Sequence, residues 1–151
     1  MIAYRICNSI YEDDISGTGT KLAGGRWNSR GIPILYLSEH ISLSVLEMLV
    51  NNQFKDFAIP LSLLTVSLPE KTDIAEVKNI KLKDDWQEDF NYTRFMGNEF
   101  IKAGNSLILK VPSAVIIEEY NFLVNPMHED FKKVKILKVK SFRTDKRLFT
   151  L

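Results

Sequence analysis

Three side chains stand out in this 151-residue chain as able to do chemistry: an arginine behind a glycine pair, an acid on a helix rim and an arginine inside a strand. Arg26 follows Gly24 and Gly25 in "GGRWN", in a chain with only seven glycines. Glycines permit positive φ and let a backbone come close to a ligand. The guanidinium that follows offers a planar fork suited to phosphate or carboxylate. The plainer reading is a structural loop arginine stacked on Trp27. Glu47 lies in "SVLEML", on a helix expected over 42–52 with Ser42 as N-cap. Leu43 and Val50 flank it on one side, Ser44 and Asn51 on the other. That puts the carboxylate at the edge of an apolar face, where an acid either lines a cleft or is merely solvated. Arg5 sits among Ile2, Tyr4 and Ile6 on a strand, and needs a partner or an exit to solvent.

Other candidates are less specific. Tyr36 in "ILYLS" can stack on a ring or donate its hydroxyl, although most strand tyrosines only pack. Ser113 follows Pro112 at a strand break; it offers a hydroxyl for hydrogen bonding or is an ordinary turn serine. Nothing ties His40 or His128 to it as a base, so it does not read as a nucleophile. His128 fits best as the residue that ties down an Asn-Pro turn. Trp27 and Trp86 read as packing residues. The glycines at 17, 19, 24 and 25 make neither a Walker loop nor a dinucleotide fingerprint.

The elements that must position these groups follow from pattern. "IAYRI" (2–6) and "IPILYLS" (32–38) read as strands, separated by a long irregular loop from 8 to 31. Residues 57–69 are mostly strand, and Pro60 argues for an edge position or bulge there. Residues 70–84 look exposed. A second helix is expected over 84–104, stopped by Gly104. Residues 106–126 read as consecutive strands split by Pro112 and Glu118. A last strand covers 131–142, and its change of phase at Ile136–Leu137 suggests a bulge. Strands outnumber helices without alternating with them. The fold class is α+β, one domain over 1–151, with a mixed sheet and flanking helices.

Bulk properties exclude little else. The net charge is +1, which gives no electrostatic case for nucleic acid or membrane binding. One Cys and two His make a structural zinc site a poor fit, and no metal or bound cofactor is expected. The lone Cys7 and the absence of a signal-like start point to a cytoplasmic protein. A symmetric homodimer is compatible with the sequence.

Six strings in order, "YRI", "GGRWNSRG", "ILYLS", "SVLEML", "VPSAV" and "YNFLVNPMH", together resemble the RES domain family, from Tyr4 to His128. The resemblance implies a toxin of a bacterial toxin–antitoxin pair, partnered by an Xre-type DNA-binding antitoxin. It implies depletion of NAD+ by hydrolysis or phosphorolysis of the nicotinamide–ribose bond, with NAD+ as substrate rather than cofactor. It also implies a fold similar to ADP-ribosyltransferases of the diphtheria-toxin type. On matching positions the family's arginine, glutamate and serine are Arg26, Glu47 and Ser113. Arg5 and Tyr36 match two further family positions near the substrate; Asn28 in "GGRWN" and Ser113, whose hydroxyl suits a ribose or the nicotinamide amide, are expected to contact it as well. One departure is Glu129, where family members often carry proline. Transfer of ADP-ribose to a protein or nucleotide, and a non-enzymatic role beside a repressor, are the alternatives.

Overall fold

The computed structural model describes residues 1–51 and 59–150. Seven strands form one sheet: β1 (Ile2–Asn8), β2 (Leu35–Ser38), β3 (Leu61–Ser67), β4 (Ile74–Glu76), β5 (Ile108–Pro112), β6 (Tyr120–Val124) and β7 (Lys135–Phe142). Their order is β4-β5-β6-β2-β1-β3-β7. Only β4 and β5 run parallel; every other pair is antiparallel. Among the described residues three α-helices accompany the sheet: α1 (Thr18–Ala23), α2 (Ile41–Val50) and α3 (Phe90–Ala103). The expected α+β class with a mixed sheet is what the chain adopts.

Period-two alternation explains the two cores. Leu35 and Leu37 of β2 and Phe122 and Val124 of β6 face one side, with Ala3, Cys7, Leu64 and Val66. Ile34 and Tyr36 face the other side with Leu109, Val111 and Leu123, beneath Trp27, Trp86 and Ile101. Each such aliphatic side chain contributes about 1.5–3 kcal/mol by leaving water. The tryptophans pack as expected, 5.9 Å apart and 2 % exposed.

The sheet has one weak seam. β1 pairs with β3 along its whole length, from Ile2↔Ser67 to Asn8↔Leu61. Against β2 it has a single register pair, Tyr4↔Ser38. Beyond that bridge the ladder stops, and the cleft opens there.

Several boundaries differ from the pattern reading. The loop after β1 contains α1, which is held by tertiary bonds rather than propensity. The Thr20 hydroxyl donates to the Ile34 carbonyl (2.7 Å) and accepts from the Ile34 amide (3.1 Å). β2 begins at Leu35, not at 32. α2 starts one residue before Ser42, with His40 at the cap position and no side-chain cap bond. Val50 is exposed, and the buried face of α2 is Leu43, Ser44 and Met48. β3 is an interior strand, so Pro60 marks neither an edge nor a bulge. It lies just before the strand, and its carbonyl accepts from the Ser9 amide. The expected strand start at 57 and helix end at 52 lie outside the described residues. Residues 70–84 contribute the short edge strand β4 and the buried Leu82. α3 starts at Phe90 rather than 84, because the Asp89 carboxylate caps it by accepting from the Tyr92 amide (2.9 Å). It ends at Gly104 as expected. The last strand starts at 135, and the anticipated bulge is present. Thr65 pairs with Lys138 and Val66 with Ile136, which leaves Leu137 as the extra residue.

Candidate active site

The cleft at the seam is a partly open cavity of about 270 Å³. β1 supplies Tyr4 and Arg5, the loop before β2 supplies Arg26, β2 supplies Tyr36 and Ser38, α2 supplies Glu47 and β6 supplies Asn121. Four of the six residues singled out from sequence therefore line one space: Arg5, Arg26, Tyr36 and Glu47.

Glu47 is held from below by two side chains. The Ser113 hydroxyl donates to Oε1 at 2.8 Å, and the Asn121 amide donates to the same oxygen at 2.6 Å. α2 is itself tied to β1, since the Ser44 hydroxyl donates to the Tyr4 carbonyl (3.2 Å). The carboxylate thus stands at the cavity wall with Oε1 engaged.

The opposite wall is built on loop 24–29, and α3 is shaped to receive it. The Thr93 hydroxyl donates to the Arg26 carbonyl (2.6 Å) and Arg94 Nε donates to the Gly25 carbonyl (2.8 Å). Asn98 bonds both the amide and the hydroxyl of Ser29. Between these contacts, a Cβ on Gly97 would lie 1.7 Å from the Trp27 carbonyl oxygen, so only glycine lets the helix approach. The glycine pair has a similar cause. Gly24 turns with φ of 76°, and a Cβ on Gly25 would lie 2.7 Å from both the Tyr36 hydroxyl and Asn28 Oδ1. The close approach is to the loop's own polar network.

Arg26 is half-buried. Its Nη1 donates to the Gln87 carbonyl (2.6 Å), and its guanidinium lies 4.4 Å from the centre of the Phe90 ring. It therefore stacks on Phe90 and not on Trp27. Burial pushes its pKa down from the ordinary value, opposed by the charge of Glu47. Arg5 donates to the Asp14 carbonyl at 2.6 Å. Neither arginine, nor Glu47, belongs to any ion pair among the described residues. Among the described residues, two cations hydrogen-bonded only to backbone carbonyls thus line one cavity with an acid bonded only to neutral donors.

Tyr36 has its ring at the cavity, but its hydroxyl is spent. It donates to Asn28 Oδ1 (2.7 Å) and accepts from the Trp27 amide (3.0 Å). Burial raises its pKa well above the ordinary value of 10.0.

Two candidates do not reach the cavity. Asn28 is fully buried, and its amide donates to the carbonyls of Thr20 (2.9 Å) and Ile32 (2.8 Å). It organises the loop, and direct contact with a substrate, expected from the motif, is not what its burial allows. Ser113 is also fully buried and accepts from the amides of Val115 (3.0 Å) and Ile116 (3.1 Å). It is both the turn serine and the support of Glu47, with no group left for a ribose or an amide. His128 caps the short 3-10 helix Glu129–Lys133 by accepting from the Asp130 amide, which is the tie-down anticipated for it. His40 is exposed beside Glu39 and Glu119.

Sequence reasoning passed over Ser38, Thr93, Arg94, Gly97 and Asn121. The 93/97 and 94/98 spacing on α3, polar or glycine amid aromatics, was the available signal for a helix face that receives a loop.

The chain is thus a split-sheet α+β domain with an acid and two guanidiniums around one cleft. The solved toxin–antitoxin complex MbcT–MbcA of M. tuberculosis has a chain with the same fold, at a TM-score of 0.79 and 17% identity, over 99% of this chain and 86% of that one. The RES domain model matches residues 2–147, and the chain belongs to the RES domain family. A "Toxin Res" of Photorhabdus laumondii is 39% identical, covering 98% of this chain and 97% of its own length. Another, of Pseudomonas putida, is 36% identical over 99% and 100%. A "Prs ADP-ribosylating toxin" of a Sphingobium species is 30% identical over 90% and 87%. Among the described residues no helix is long and apolar enough to cross a membrane.

Proposed function

We propose that this RES-family toxin consumes NAD+ by breaking the bond between nicotinamide and ribose, with water or phosphate as the acceptor. The observation that carries the reading is an acid and two guanidiniums around one cavity, none of them in an ion pair among the described residues. The guanidiniums of Arg5 and Arg26 suit the pyrophosphate. The ring of Tyr36 offers a face for nicotinamide. As the bond breaks, positive charge builds on the ribose, and Glu47 lies where it stabilises that charge more in the transition state than in the ground state. Glycosidic chemistry uses carboxylates for the same reason. Ser113 holds Glu47 and does not act as a nucleophile.

The test is to incubate purified protein with NAD+, with and without phosphate, and identify the products. Free nicotinamide is expected, together with ADP-ribose or its 1-phosphate, and none from Glu47→Ala. Undiminished release by Glu47→Ala removes Glu47 from the mechanism. A second reading, ADP-ribose transfer to a macromolecule, is favoured by the 30% identical Sphingobium relative that is named for ADP-ribosylation. The same cationic intermediate serves both, and label from NAD+ on a protein or nucleotide target identifies the second. We further propose an antitoxin partner, of the Xre type that the family resemblance implies, covering this cleft; a chain of the same fold was solved in a toxin–antitoxin complex. A cytoplasmic site of action fits an NAD+-consuming toxin.

A further inference from the structure

Resting on the NAD+ reading, one question about Glu47 remains: what fixes which carboxylate oxygen faces the substrate. Asn121 holds Glu47 together with Ser113, and it has a second partner of its own. Its amide nitrogen donates to Glu47 Oε1 at 2.6 Å, and its Oδ1 accepts from the Ser38 hydroxyl at 2.8 Å. Ser38 is 6 % exposed and sits at the one bridge that joins β2 to β1. Asn121 pairs with it across β2 and β6.

The direction of this chain is set by its ends. A carboxylate accepts only, so the amide must turn its N–H₂ toward Glu47. That leaves Oδ1 to be met by a donor, and the Ser38 hydroxyl is that donor. Ser113 is constrained in the same way. Its oxygen already accepts two backbone amides, so its proton goes to Glu47. Both supports are thus one-way donors to Oε1, and neither donates to Oε2.

We propose that Asn121, oriented by Ser38, is a positioning residue for catalysis. With Ser113 it pins Oε1 so that Oε2 is the oxygen presented to the ribose as positive charge develops. It acts on the rate through Glu47 rather than by holding NAD+. Asn121 also borders the cavity, so the test must separate positioning from substrate grip. The charged and titratable groups around Glu47 from other elements include Arg26 of the loop and Tyr36 of β2, which interact with it electrostatically, and Arg5 of β1, which lines the same cavity.

The experiment measures nicotinamide release from NAD+ against pH for the wild type and for Asn121→Leu, Asn121→Asp, Ser38→Ala and Glu47→Gln, each checked for a wild-type-like melting transition. Asn121→Leu keeps the size and removes the donor. A hydrogen bond to a charged group sets the expected loss in kcat at about 10- to 100-fold, with KM for NAD+ within a few-fold. Ser38→Ala lets the amide rotate and is expected to lower kcat by about 3- to 10-fold. Asn121→Asp is the sharpest variant. Two carboxylates at hydrogen-bond distance share one proton. While the pair keeps that proton, the introduced carboxyl group can donate to Glu47 as the amide did; once it is lost, the two charges repel. The activity of Asn121→Asp should therefore survive at acidic pH and fall as pH rises, shifting the optimum downward, which a merely structural role would not produce. Wild-type kcat in Asn121→Leu, a rise in KM alone, or an unshifted Asn121→Asp profile overturns the proposal. If Glu47→Gln itself keeps wild-type kcat, the NAD+ mechanism fails first. If Glu47→Gln is inactive and Asn121→Leu is not, only the positioning role fails.

Discussion

The two walls of the cleft hold opposite charges by opposite means. On the α2 and β6 side, one carboxylate is held by side chains, Ser113 and Asn121, each oriented by a further hydrogen bond. On the loop 24–29 side, the guanidinium of Arg26 is held by a backbone carbonyl and an aromatic face. The loop that carries it depends on glycines and on α3. The first wall is encoded by the identity of a few polar residues. The second is encoded by the path of the chain. Damage to the first should appear as lost rate in a folded protein, and damage to the second as weakened binding or weakened folding.

The largest expected effect breaks the carboxylate wall. On the proposed mechanism Glu47→Gln keeps the shape but removes the charge offered to the ribose, and kcat for nicotinamide release should fall by about 100- to 1,000-fold with little change in KM. Steady-state kinetics on a variant with an unchanged melting transition checks this. Next comes the scaffold of the other wall. Gly97→Ala forces a methyl against the Trp27 carbonyl, and moving α3 away should lower stability by about 3 kcal/mol in denaturant unfolding. A Gly97→Ala protein as stable as the wild type would show that loop 24–29 is not held as described.

That wall is also where sequence and structure part most clearly. Arg26, Glu47 and Tyr36 were legible through six strings in order that resemble the RES family; residue type and local spacing alone left each of them open to a structural reading. The strand alternation carried the sheet, and the change of phase at Ile136–Leu137 carried the bulge. α1 was hidden, because "TGTKLA" contains a glycine and draws its support from Ile34, fourteen residues beyond Thr20. The start of α3 was misplaced, because the spacing of Trp86 and Phe90 suits a helix while Asp89 caps one only from Phe90. Asn28 and Ser113 lay in the right motifs, but their burial depends on partners distant in sequence, and local pattern does not report burial of a polar side chain.

Smaller perturbations sharpen the contrast. Arg26→Gln removes the charge from the second wall and leaves its backbone in place. It should raise KM for NAD+ by about 10- to 100-fold and leave kcat within a few-fold, the reverse of Glu47→Gln. A variant that loses kcat alone would place Arg26 in the chemistry instead of the grip. The mildest effect concerns Tyr36. Burial raises its pKa in the folded protein above the ordinary 10.0. The folded state thus keeps a proton that the unfolded chain gives up. Its contribution is fully present below about pH 10 and declines as pH rises above that value. Tyr36→Phe should lower stability at neutral pH by about 1–2 kcal/mol, since Trp27 and Asn28 lose a partner. It should also flatten the alkaline fall, which urea unfolding between about pH 7 and 11 would measure.

The central claim is that this cleft breaks one particular bond of NAD+. Proton NMR of NAD+ incubated with the purified toxin follows that bond directly. The account predicts that free nicotinamide appears in step with the loss of NAD+. NAD+ left intact, or cut at the pyrophosphate with nicotinamide still joined to its ribose, would contradict it.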